Sequence, residues 1–137
     1  MSIHPTPSTE QFLEALSAKN FSGEIEVSYA QRLIAATDNS IYQLMPEAIL
    51  FPKDNHDVEK VMVLLGEERF RHITLSTRGG GTGTNGQSLN QGIILDLSRH
   101  MNKILNFDPD KRVVTVQTGV VKDQLNAYLR PLGYFFA

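Results

Sequence analysis

The chain has 137 residues, 41% hydrophobic and 20% charged, a profile that suits one soluble globular domain with enough apolar mass for a real core. A net charge of −2, a pI near 6.1 and the lack of any basic block exclude nucleic acid or an anionic membrane surface as a field-driven partner. Without cysteine there is no disulfide, thiol nucleophile or iron–sulfur ligand in this stretch, and a cytoplasmic setting is expected, since neither a signal-like start nor a membrane-length apolar run is present.

In chain order, residues 1–8 hold prolines and little to bury, so a loose arm is expected. Ser8 with Gln11 three residues on resembles a capping box, opening a helix with Phe12, Leu13 and Leu16 on one face. Phe21-Ser22-Gly23 breaks it. A second short helix is expected from Ser28 to about Ala36, with Tyr29, Leu33 and Ile34 inward, then a turn at Thr37-Asp38-Asn39-Ser40. Ala48-Ile49-Leu50-Phe51 reads as a buried strand closed by Pro52. Asp54 then caps a helix on which Val58, Val61, Met62 and Leu65 keep three-and-four spacing until Gly66, with Glu67 to Phe70 as a further turn.

Ile73 to Thr77 alternates as a strand and runs into a glycine-rich loop, Arg78 to Gln87; Gly92 to Leu97 is the next strand. The first two strands, joined through a helix, should be parallel. Ile104 to Phe107 and Arg112 to Gln117 flank Asp108-Pro109-Asp110-Lys111, a hairpin that begins an antiparallel sheet. A last helix is expected from Val121 to Leu132, burying Val121, Leu125, Tyr128 and Leu129 and stopping at Gly133. Tyr134-Phe135-Phe136 reads as a strand cut at its start, so the chain is expected to be an N-terminal fragment.

The loop, Arg-Gly-Gly-Gly-Thr-Gly-Thr-Asn-Gly-Gln, suits a phosphate, because successive peptide N–H groups can form an anion nest and Arg78 adds positive charge. Gly81 to Gly86 satisfies the dinucleotide pattern G-x-G-x-x-G, but a Rossmann site needs a helix straight after it, and a strand follows instead. No Gly-Lys-Ser/Thr supports a Walker loop, and kinase catalytic and metal motifs are missing. The plain alternative is a wide turn that binds nothing. Five glycines make an empty loop costly in conformational entropy, a cost that hydrogen bonds to a charged pyrophosphate, roughly 1.5–3 kcal/mol each, would offset.

The segments PEAILFP, DNHDVEKVM, RGGGTGTNGQSLNQGIILDLSRHMNKIL and VTVQTGVVKDQLNAYL occur in that order between about residues 38 and 137. With them the chain resembles the FAD-binding PCMH-type domain of the vanillyl-alcohol-oxidase-like flavoproteins. The resemblance implies an α+β fold, in which a small parallel-containing subdomain with helices is followed by the start of an antiparallel sheet, here truncated. Residues 1–37 would be an N-terminal arm and helices, and 38–137 the N-terminal part of the FAD-binding domain.

The same resemblance implies that Gly79, Gly80, Gly81, Thr82 and Gly83, with Thr84, Asn85, Gly86 and Gln87 close by, wrap the FAD pyrophosphate, to which Arg78 would add its charge at the loop's entry, and that Pro52 and Gly119 line the cofactor. Some members attach flavin to a loop histidine; this loop has none, which implies non-covalent FAD. The segment FSGEIEVSYAQRLIAATDNSIYQLMPEAILFP is similar to the opening of long FAD-linked, iron–sulfur-containing dehydrogenases of 2-hydroxy acids, such as D-lactate, D-2-hydroxyglutarate and glycolate. This implies hydride transfer from a small hydroxy acid to FAD. The substrate cap, catalytic base and any cluster cysteines would lie beyond residue 137, with no catalytic or metal residue in this stretch. A non-redox nucleotide-binding or regulatory module is the alternative.

Other polar residues read as structural. His4, His56, His72 and His100 show no metal-ligand spacing. Asp54 and Asp57 belong to a helix start, where the dipole favours negative charge. Asp96 is expected to bond the turn at Ser98-Arg99. Tyr42 and Tyr128 read as core or interface rings.

Overall fold

The structure, a computed structural model, describes residues 4–137. In chain order the elements are α1 (Pro7–Ala18), β1 (Glu24–Glu26), α2 (Tyr29–Ala35), β2 (Ala48–Phe51), α3 (Asn55–Leu65), β3 (Leu75–Arg78), β4 (Ile93–Asp96), β5 (Ile104–Asp108), β6 (Val113–Val116) and α4 (Lys122–Leu129). Short 3-10 turns at Glu68–Phe70 and Arg130–Leu132 follow α3 and α4.

The main sheet has the order β1-β2-β4-β3. β2 and β3 run parallel as expected, yet they do not touch, because β4 lies between them with Leu95 facing Leu50 on one side and Thr77 on the other. Ile93, Ile94 and Leu95 are all buried, which suits the central place of a parallel sheet covered on both faces. The unforeseen β1 adds an antiparallel edge beside β2; three residues, Glu-Ile-Glu, are too few to show a period. β5 and β6 form a separate two-stranded antiparallel sheet, as the hairpin signal indicated.

Side chains alternate across the main sheet. Ala48, Leu50, Ile93 and Leu95 face α1 and α3, where they meet Phe12, Leu13, Leu16, Val61, Leu64 and Phe70. Phe12 and Phe70 contact edge to face, their ring centroids 5.4 Å apart. Ile49, Phe51 and Ile94 face the other way, toward Ala35 of α2. Among the described residues no helix is long and apolar enough to cross a membrane.

Several local expectations are corrected. α1 begins at Pro7 and its cap is Thr6, not Ser8; the Thr9 amide donates to the Thr6 hydroxyl, and proline suits the first helical turn because its missing N–H is not needed there. Of the expected loose arm, residues 1–3 lie outside the described residues, and Thr6 is anchored, its amide and hydroxyl both donating to Glu47 Oε2 at 2.9 and 2.8 Å. α2 turns the opposite face inward. Tyr29 and Ile34 are 53% and 67% exposed, whereas Ala35 and Ala36 pack closely and Arg32, 2% exposed, donates through Nε to the Pro46 carbonyl at 2.6 Å.

On α3, Leu64 takes the buried place expected for Met62, which is exposed. Asp57 does more than favour a helix start. It is fully buried and accepts from the Ser22 amide and hydroxyl, the Lys53 amide and the Lys60 ammonium, which ties the segment before β1 to α3. Burial pushes its carboxyl up, but these hydrogen bonds outweigh that and hold it at about 2. On α4, Val121 and Tyr128 are exposed, and Asn126 joins Leu125 and Leu129 among the buried residues. Tyr42 is exposed as well. Tyr134 to Ala137 form no strand; the Asn126 side chain bonds both the amide and the carbonyl of Phe136, and Tyr134 packs on Phe107 at 4.9 Å.

Candidate functional site

Because β2, β4 and β3 are parallel, Pro52, Arg78 and Leu97 all stand at one edge of the sheet, the carboxyl end, where ligands of open parallel sheets bind. Pro52 is buried just after β2, where a residue without an N–H ends the ladder. At the end of β4, Asp96 accepts from the Ser98 amide at 2.9 Å and hydroxyl at 2.6 Å, the turn role expected of it. The next two residues brace that turn on Glu24 of β1. Arg99 Nη1 and His100 Nε2 each lie 2.6 Å from its carboxylate, and the Arg99 guanidinium stacks over Phe51 at 3.4 Å. Hydrogen bonds from His100 and then Arg99 hold the Glu24 carboxyl below its usual range.

The glycine loop leaves β3 at Arg78, whose side chain turns back from it. Nη1 donates to the Ala35 carbonyl at 3.2 Å and Nη2 to the Thr37 carbonyl at 2.9 Å, satisfying the carboxyl end of α2. Gly81 has φ +65°, a conformation that requires glycine, and the Arg78 guanidinium fills the place a β-carbon would take there, so a side chain would have to displace it. Further along, the Gln87 side chain packs against Gly83 and accepts from the Asn85 amide at 3.2 Å, and the Tyr42 ring lies on Gly86. Ser88, which follows the loop, donates to Asp38 at 3.2 Å. Residues 37–42 therefore hold the outer limb of the loop from the α2 side.

Gly79, Gly80 and Thr82 remain free to form one wall of a cleft of about 290 Å³. Thr118, Gly119, Val120, Val121 and Lys122 form the opposite wall. Gly119 is fixed there by its amide, which donates to the Met101 carbonyl at 2.8 Å, and a β-carbon on it would collide with the Leu97 carbonyl. A β-carbon on Gly79 would meet nothing within 4 Å, and one on Gly80 only the Thr82 methyl at 3.7 Å. The cleft lies at the small end of the roughly 300–1,000 Å³ range of whole-ligand pockets, a size for part of an extended cofactor.

Of the residues singled out in the sequence, the structure brings Gly79, Gly80, Thr82 and Gly119 to this cleft. Arg78, Gly81, Gly83, Gly86 and Gln87 shape the loop instead, and Pro52, Thr84 and Asn85 do not line the cleft. Sequence reasoning missed Thr118, Val120, Val121 and Lys122. The available signal was Gly-Val-Val-Lys between a strand and a helix, since a helix start favours anions. A larger cleft of about 420 Å³ between the hairpin and the C-terminal aromatic segment holds no glycine-loop residue.

A partly parallel sheet, with a glycine loop at its strand ends and an opposing glycine before a helix, defines a domain built to hold a phosphate-bearing cofactor. The chain belongs to the FAD binding domain family, which matches residues 46–137, and its cofactor is FAD. This is the PCMH-type fold of the earlier resemblance: the structure superposes on alkyldihydroxyacetonephosphate synthase with a TM-score of 0.81 over 97% of this chain and 26% of that one, at 19% identity. For p-cresol methylhydroxylase the TM-score is 0.70 over 92% of this chain and 24% of that one, at 22% identity. At such identities the likeness shows the fold alone.

In sequence, the chain is 59% identical to a D-2-hydroxyglutarate dehydrogenase of Pantoea ananatis and 54% identical to one of Escherichia coli, each over 92% of its length. It is 29% identical to glycolate oxidase subunit GlcD of Bacillus subtilis over 93% of its length and 26% of that protein. The chain spans 12% of the length of each of those two dehydrogenases.

Proposed function

We propose that this chain is the N-terminal, FAD-holding part of a flavin-dependent dehydrogenase of D-2-hydroxy acids, of the 2-hydroxyglutarate kind. The identities to D-2-hydroxyglutarate dehydrogenases support that substrate over glycolate. The observation that carries the binding role is the pair of glycine walls, Gly79 and Gly80 facing Gly119 across one cleft, with open space where a β-carbon on Gly79 would stand and only ordinary contact with the Thr82 methyl for one on Gly80.

In this reading Gly79, Gly80, Thr82 and Gly119 hold the pyrophosphate. Arg78, Gly81, Gly83 and Gln87 fix the loop's shape, Thr84, Asn85 and Gly86 form its outer limb, and Pro52 ends β2 at the same edge of the sheet. FAD, when bound, accepts a hydride from the carbon bearing the substrate hydroxyl. With no histidine in the loop or on the cleft, attachment through these residues is non-covalent. Residues 38–137 form the cofactor-binding part and residues 1–37 support it. The substrate contacts, the proton acceptor and any iron–sulfur cluster belong to the remainder of a longer enzyme, and a cytoplasmic setting belongs to the same proposal.

The test uses the complete enzyme. It should purify with flavin absorbance or regain it with FAD, and anaerobic D-2-hydroxyglutarate should bleach that band faster than D-lactate or glycolate. Gly79→Val should leave the thermal unfolding of the flavin-free protein unchanged and lower flavin content. A wild-type enzyme that neither carries nor takes up FAD would overturn the proposal.

A further inference from the structure

A pyrophosphate diester carries two negative charges, and the sequence offers Arg78 as their partner. In the folded chain that guanidinium is committed to the Ala35 and Thr37 carbonyls and is packed against Gly81. It does not line the cleft. The cation that does is Lys122, the first residue of α4, across from Gly79 and Gly80. Among the described residues Lys122 has no hydrogen-bond or ion-pair partner, and no carboxylate lines the cleft. Asp123, the next residue on the helix, is not part of the wall.

Resting on the FAD reading above, we propose that Lys122 is the cationic ligand of the cofactor's pyrophosphate. Its ammonium is a compact charge with three donors on a flexible stem, the form in which lysine serves phosphates. The assignment explains how a cleft built from glycine, threonine and valine backbone attracts a dianion while its nearest arginine is used to hold the loop. Lys122 then differs from the glycines in kind: they admit the phosphates, and it neutralises them.

The flavin-free complete enzyme is titrated with FAD at several salt concentrations, as wild type, Lys122→Gln, Lys122→Arg and Lys122→Glu. Loss of one charge-assisted hydrogen bond should raise the Kd of Lys122→Gln about tenfold. The salt dependence of binding should become shallower, because one screened attraction is gone. Thermal unfolding of the flavin-free protein should not change, Lys122→Arg should restore most of the affinity, and Lys122→Glu should weaken binding further. FAD affinity equal to wild type in Lys122→Gln, or weakened affinity with an unchanged salt dependence, would overturn the assignment while leaving the FAD reading intact. A wild-type protein that does not bind FAD at all would overturn both.

Discussion

The Arg78 guanidinium occupies the space that a side chain on Gly81 would need. It is held there by the carbonyls of Ala35 and Thr37, so the end of α2 and the path of the glycine loop are set by one side chain. The arginine that the sequence offers as a phosphate partner is the clip that shapes the glycine loop.

Gly81→Ala should therefore strain the loop twice, by forcing φ +65° on a residue with a β-carbon and by displacing Arg78. A loss of about 1–3 kcal/mol is expected from the backbone conformation. Urea unfolding of the flavin-free protein measures it, and an unchanged midpoint would mean that the loop relaxes freely.

Gly119 and Gly79 should respond differently although both line the cleft. A β-carbon on Gly119 meets the Leu97 and Met101 carbonyls, which are backbone and cannot turn aside, so Gly119→Ala should lose stability and FAD together, at about 1–3 kcal/mol. Gly79→Ala meets open space and should stay within about 0.5 kcal/mol of wild type. Paired unfolding curves decide the contrast.

Asp57 gives the chain an acid-sensitive joint. Its carboxyl lies at about 2 in the folded chain against 3.8 unperturbed. A depressed carboxyl stabilises the fold fully above its unfolded value and loses that contribution as pH falls toward the folded one, here about 2 kcal/mol. Asp57→Asn should lower stability at neutral pH and flatten the acid limb of a stability–pH profile; an unaltered limb would count against the role.

Phe12 tests whether α1 belongs to the core. It is fully buried and packs edge to face on Phe70, so Phe12→Ala should cost about 3–5 kcal/mol, as cavities left by aromatic residues do. Thermal unfolding gives the answer; a small loss would make α1 an appendage.

The Glu24 brace predicts a local effect. Glu24→Ala releases both Arg99 and His100 from β1, and the turn that carries the Leu97 and Met101 carbonyls loses its side-chain tie to the sheet edge. Hydrogen exchange at the Gly119 amide, which donates to Met101, should quicken while exchange in β2 and β4 stays slow. Uniform exchange changes would instead indicate a global loss of stability.

Sequence alone was informative wherever a signal was local. Apolar runs bounded by Pro52 and the Asp54 cap defined β2 and α3, Asp-Pro-Asp-Lys defined the hairpin, and a glycine loop leading to a strand excluded the Rossmann form. The three-residue β1 was too short to show a period. The facing of α2 was misleading, because burial there follows the small residues Ala35 and Ala36 and the hydrogen-bonded Arg32 rather than the largest apolar side chains.

What the sequence determined by itself is the kind of site: its glycines give the backbone close approach to a phosphate, and its order of strands, loop and hairpin carries the family. Tertiary structure alone decided which residues line the cleft. The insertion of β4 between β2 and β3, the return of Arg78 to α2 and the meeting of Gly79 with Gly119 join residues some forty positions apart, and such contacts are set by whole-domain packing that no short stretch of chain encodes.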